Sequence, residues 1–98
     1  MRTIKGWAKA RKTLEHWRRE LTDVQVALKR PRVIEMIPVD FTTGEPVFRK
    51  GAPRKSFKGK LIFVTEDDVT LRRPSGALLV IDTYELASLS DRRTRVVP

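Results

Sequence analysis

The chain has 98 residues, which suits one small domain, and 40 % of them are hydrophobic, enough for a compact core. It has no cysteine, which excludes disulfides, thiol nucleophiles and cysteine-ligated zinc. Lysine and arginine total 21 against 12 acidic residues, a net charge of +9, and no apolar run approaches the roughly 20 residues that cross a bilayer.

The N-terminal segment MRTIKGWAKARK is basic without an apolar stretch behind it, so it does not read as a secretory signal. The expectation is a soluble, cytoplasmic protein with no membrane partner. Trp7, Ala10, Leu14, Trp17, Leu21, Val24 and Leu28 then recur at alternating spacings of three and four. This stripe predicts an amphipathic helix filling residues 1–30 and closed by Pro31. A competing pattern overlaps its end. Thr22-Asp23-Val24-Gln25 resembles a helix-capping box, and Val24, Val26 and Leu28 alternate as a strand does. On that reading the helix stops near Glu20 or Leu21, and 23–29 forms a second element.

From Arg32 the period changes. Val33-Ile34-Glu35-Met36-Ile37 is β-rich, and Pro38 restricts it to an edge strand or a bend. Phe41 to Phe48 reads as a turn centred on Gly44 between short extended arms. Arg49 to Ser56 reads as a loop punctuated by Gly51 and Pro53. Phe57 to Val64 is a strand that Gly59 allows to bend. Glu66-Asp67-Asp68 turns, Val69 to Arg72 returns, Pro74-Ser75-Gly76 turns again, and Ala77 to Ile81 is a third strand. Asp82 to Glu85 fits a single helical turn with an Asp or Thr cap, and Leu86 to Leu89 is a short closing strand. The expected fold is α+β, with an N-terminal helix followed by a small, strongly bent antiparallel β-barrel over residues 31–91. The tail 92–98, with Arg92, Arg93 and Arg95, is expected to be a disordered basic extension able to add phosphate contacts.

Phe57-Lys58-Gly59-Lys60-Leu61-Ile62-Phe63-Val64, Val69-Thr70-Leu71-Arg72 and Leu79 to Leu86 together resemble the Sm-like family of small barrels. The resemblance covers about a third of the chain. It implies a glycine-bent strand, a hairpin, a capped turn leading to a closing strand, RNA binding and assembly into rings. The stretch from Val33 to Ser56 is longer than the single first strand of that family. Fold alone does not fix function.

Chemistry needs convergent groups, and few are present. His16, the only histidine, lies beside Trp17 and reads as a solvent-facing or seam-edge residue. Glu66, Asp67 and Asp68 lack the spaced ligands of a calcium loop and read as a solvated turn. No phosphate-loop, dinucleotide or nucleophile-elbow motif occurs. No enzyme activity, metal or cofactor is expected.

Binding is better supplied. Residues 1–32 carry 10 basic and 3 acidic side chains, 33–60 carry 6 and 3, 61–91 carry 2 and 6, and 92–98 adds three arginines. Lys9, Arg11, Lys12, Arg18 and Arg19 give the helix cationic faces. Arg49, Lys50, Arg54, Lys55, Lys58 and Lys60 form a second set, flanked by Phe48 and Phe57. Either phenylalanine could stack on an unpaired base if exposed; the alternative is that both cap the core. The partner these residues suit is a nucleic acid, RNA or DNA, with RNA favoured. The competing reading is a protein–protein module: a homo-oligomer, or an adaptor, inhibitor or assembly subunit, of phage or mobile-element origin, meeting an acidic protein. Its interface would be Trp7, Leu14, Trp17 and Leu21 on the apolar stripe.

Overall fold

A computed structural model of the chain describes residues 1–37 with their side chains, the backbone of 38–40, and residues 42, 44 and 47–98. The fold is mostly β, with one short helix. In chain order the elements are β1 (Arg2–Lys5), α1 (Arg11–Arg19), β2 (Asp23–Arg32), β3 (Met36–Asp40), β4 (Val47–Lys50), β5 (Arg54–Val64), β6 (Asp68–Arg72) and β7 (Leu78–Asp82). A single 3-10 turn (Thr83–Glu85) follows, then β8 (Leu86–Ser90) and β9 (Thr94–Val97).

The helix is far shorter than the stripe suggests. It ends at Arg19 because the chain closes on itself there: the Leu21 N–H bonds Arg18 O at 3.3 Å and the Thr22 N–H bonds Trp17 O at 2.9 Å. That pair of bonds is the Schellman closure, and it forces the residue after the cap into the left-handed region. Here that residue is Leu21, at φ 49, where glycine is the usual occupant. Beyond it the alternation of Val24, Val26 and Leu28 prevails. All three are buried on one side of β2. The second element over 23–29 is therefore a strand and not a continuation of the helix.

Seven strands form one sheet in the order β1-β9-β8-β2-β5-β6-β7. β7 and β8 are separated in sequence only by the 3-10 turn, yet β8, β2, β5, β6 and β7 stand side by side in that order. Four flat inter-strand gaps would span about 19 Å, whereas the link from Asp82 to Leu86 reaches at most about 14 Å. The sheet therefore has to coil. It is not closed into a barrel, since β7 and β1 are its edges.

Two terminal strands extend the sheet beyond β8. β9 pairs antiparallel with β8, and β1 pairs parallel with β9. Ile4 and Val96, partners in that register, are both buried. The expected disordered tail is thus an ordered strand, because Val96 alternates with Arg95 and gives the tail an apolar face. Asp91 fixes the turn before it by accepting the N–H groups of Arg93 (2.8 Å) and Thr94 (2.7 Å).

The core lies on the inner face of the coiled sheet, closed by α1 through Leu14 and Trp17. The indole of Trp17 donates to Asp91 Oδ2 at 3.0 Å, and that of Trp7 to Thr65 O at 2.8 Å. The buried Trp17 ring and the half-buried Trp7 ring each keep their polar edge satisfied. Gly59, opposite Val24, allows β6 to approach β5: a Cβ there would lie 3.2 Å from Arg72 O and 3.3 Å from Leu71 Cβ.

β3 and β4 form a separate two-stranded arm inserted between β2 and β5. The expected strand from Val33 begins only at Met36, and the expected loop over 49–56 is mostly strand, with 51–53 alone outside β4 and β5. Gly44, at φ 81, lies in the connection as expected, while Phe41, Thr43, Glu45 and Pro46 lie outside the described residues. Among the described residues no helix is long and apolar enough to cross a membrane.

Candidate functional site

The alternation of β5 decides where its cations go. Phe57, Gly59 and Leu61 are buried, so Lys58 and Lys60 project from the opposite, outer face. The register extends this face across the sheet. One cross-strand row runs Thr3, Arg95, Ser90, Gln25 and Lys58; the next runs Asp23, Lys60, Arg72 and Leu78. Lys58, Lys60, Arg72 and Arg95 therefore share one face of the sheet, three of them on the β5–β6 hairpin and Arg95 on β9. Asp23 is the acidic residue in these rows, and it pairs with Lys60 at 3.4 Å. Lys58, Arg72 and Arg95 have no ion pair among the described residues. Lys58, Lys60 and Arg72 line a concavity of about 370 Å³ beside the Pro74–Gly76 turn.

Arg73, next to this surface, is the one buried charged residue among the described residues. Its guanidinium donates to Lys58 O and to Glu35 Oε1, the latter at 2.5 Å, and its centre lies 5.1 Å from the Phe57 ring centroid. Its Nε has no partner among the described residues. The hydrogen bond from Arg73 holds the Glu35 carboxyl below its ordinary value, against a smaller opposing effect of burial; the charges of Arg73 and Arg54 add to the lowering. Glu35 O also accepts the Gly51 N–H at 2.9 Å. Arg73 thus ties β5 and the β6–β7 turn to the root of the β3–β4 arm.

The arm carries Arg49 and Lys50 beside Met36, Ile37, Val47 and Phe48, all exposed. Phe48 is solvent-accessible, whereas Phe57 is core, so the paired phenylalanines divide between the two roles the sequence allowed. Arg54 reaches Glu35 at 3.7 Å, and Lys55 is exposed without an ion pair among the described residues.

The helix set does not join these cations. α1 packs on the inner face, so the exposed Arg11, Lys12 and Arg19, with Lys9 in the preceding turn, lie on the other side of the sheet. Arg18 is engaged by Glu15 at 3.1 Å. His16 is exposed. The apolar stripe is not a free interface either. Leu14 and Trp17 are buried in the chain's own core, Trp7 packs against it, and only Leu21, 45 % accessible, faces solvent.

The acidic turn is structural in form. Thr65 Oγ1 accepts the N–H groups of Asp67 (3.1 Å) and Asp68 (3.0 Å) and donates to Asp68 Oδ1 at 2.9 Å. Among the described residues no group of three or more His, Asp or Glu side chains is placed to hold a metal ion. In the 3-10 turn Asp82 makes no side-chain cap bond; instead Thr83 Oγ1 donates to Asp67 O at 3.1 Å. Tyr84 stands out from this turn, and its phenol is raised above the ordinary value of 10.0, first by a hydrogen bond with Asp82 and then by the charges of Asp82 and Glu85.

Sequence reasoning missed Arg72 and Tyr84, and it placed Arg95 among the phosphate contacts of a disordered tail and not on a sheet face. Period-two spacing from Val69 and Leu71 would have placed Arg72 outward, and the same spacing from Val96 would have placed Arg95. Nothing comparable marks Tyr84. Comparison with protein-family models, with curated proteins and with solved structures finds no match to this chain.

Proposed function

We propose that this protein is a non-catalytic nucleic-acid-binding module, with RNA the favoured ligand. The observation that carries the reading is the outer sheet face, where Lys58, Lys60, Arg72 and Arg95 lie on β5, β6 and β9 in cross-strand rows whose acidic member is Asp23, with Asp68 and Asp82 farther along β6 and β7. Phosphates bind to exposed cations at several points along a strand, and such contacts fix position without reading sequence. Arg49 and Lys50 on the arm, and the helix cations on the far side, enlarge the field that steers an anionic chain. The strand order β8-β2-β5-β6-β7, with a helix before it and a one-turn link into β8, agrees with the meander that the Sm-like resemblance implies. The preference for RNA rests on the Sm-like resemblance and not on this strand order, since fold alone does not fix function.

The test is anisotropy of labelled single-stranded RNA and DNA 12-mers, titrated with salt. Binding should weaken steeply, with a log–log slope of about −0.7 per phosphate contacted. Failure of both strands to bind at low salt would overturn the proposal.

A second reading, self-association, is favoured by a different observation. Leu78 (61 % accessible) and Val80 (51 %) lie on the outer side of the open edge strand β7, and Phe63 (56 %) lies on the outer side of β5. Exposed apolar groups at an unpaired edge are a template for another chain. Light scattering would show a dimer or larger species that Leu78→Lys returns to monomer.

A further inference from the structure

We infer that Tyr84, Lys29 and Arg30 form a base-stacking subsite for a single-stranded nucleic acid. The inference rests on the proposed function and adds to it a place where bases, and not only phosphates, are held.

The site is built where β2 leaves its ladders. β2 pairs regularly with β5 from Asp23 to Ala27, then the register shifts until Arg32 meets Arg54; its pairing with β8 shifts between Ala27 and Leu28. Leu28 stays buried and anchors the strand, while Lys29 and Arg30 turn to solvent. On the opposite wall the 3-10 turn lifts Tyr84 out of the core, leaving it 71 % accessible although Leu86, two residues on, is fully buried. Between the walls lies a concavity of about 480 Å³, within the range of roughly 300–1,000 Å³ that small-molecule sites occupy.

Arg32 holds the two walls together. Its Nη1 donates to Val80 O at 3.1 Å and pairs with Glu85 Oε2 at 3.3 Å. This engages the Glu85 carboxylate, so Lys29 and Arg30 have no ion pair among the described residues. The result is one flat π surface, held on a clamped turn, beside two unpaired cations. A nucleobase offers a π face of its own whatever its identity, and its flanking phosphates need positive charge. An acidic peptide would use the cations but leave the ring without a role.

The test compares a 12-mer of oligo-uridylate with an abasic 12-mer of equal charge, measured by anisotropy on the full chain. The wild-type protein should prefer the base-bearing strand by about ten-fold, in line with one aromatic stack. Tyr84→Ala should abolish that preference, and Tyr84→Phe should retain it. The paired change Lys29→Ala with Arg30→Ala should weaken both ligands alike. A preference unaltered by Tyr84→Ala, in protein that still binds both strands, would refute the subsite and leave the proposed function standing. Absence of any binding by the wild type would instead remove the proposed function, and the subsite with it.

Discussion

The two faces of the seven-stranded sheet use the same strands for opposite ends. On the inner face Val24, Val26, Phe57, Leu61, Val69, Leu71, Leu89 and Val96 form one buried core cluster with Leu14 and Trp17 of α1. On the outer face their sequence neighbours include the exposed cations Lys58, Lys60, Arg72 and Arg95, beside the half-buried Gln25 and Ser90 and the acidic Asp23 and Asp68. If the outer face binds as proposed, strand pleating separates stability from binding at the resolution of a single residue. Inner changes should therefore cost folding free energy, and outer changes should cost affinity.

The largest effect belongs to the inner face. Trp17→Ala removes a fully buried indole and should destabilise the fold by about 3–5 kcal/mol, measured by denaturant unfolding. A loss below about 1 kcal/mol would mean that α1 is not part of the core.

Next in size is Asp91, which joins the faces by receiving the Trp17 indole and two turn N–H groups. Burial alone would raise its carboxyl, but the N–H groups of Arg93 and Thr94 and the Trp17 indole outweigh that and hold it below the ordinary 3.8. A carboxyl depressed in the folded state stabilises it above the unfolded value and ceases to do so as pH falls through the folded value. Asp91→Ala should cost about 1–3 kcal/mol near neutrality, since it leaves donors unmet. The difference between variant and wild type should shrink on acidification below 3.8. A pH-independent difference would contradict this account.

Smaller again, and of opposite sign, is Leu21→Gly. Relief of the left-handed leucine at φ 49 should stabilise the fold by about 0.5–1 kcal/mol, less what glycine loses in the unfolded chain. A lowered melting temperature would show that the Leu21 side chain packs usefully.

How far the sequence reveals this division depends on where two periods coincide. From Phe57 to Leu89 apolar β-rich runs are bounded by clear turn residues, and the strands, turns and one-turn link lie close to where those signals put them. In the first third, Val24 and Leu28 satisfy a helical spacing and a strand spacing at once. The left-handed turn at Leu21 that separates the two elements has no glycine to announce it. In the tail, three arginines obscure a strand whose signal is chiefly Val96. The cations of the candidate site were legible by type but not by face, because facing depends on which neighbours are buried. Arg73 was illegible for a different reason. Its partner Glu35 is 38 residues away, and only the return of β5 beside β2 brings them together.

The central claim is that the outer face binds and does not hold the fold. It is tested most directly by the triple change Lys58→Ala, Lys60→Ala, Arg72→Ala, followed by salt titration of RNA binding alongside thermal unfolding. Stability should move by no more than about 0.5 kcal/mol per site, as for ordinary surface changes. Affinity should fall, and the log–log salt slope should become shallower by about two, or 0.7 for each lost contact. A salt slope identical to that of the wild type, with binding intact, would contradict the assignment of this face as the nucleic-acid surface.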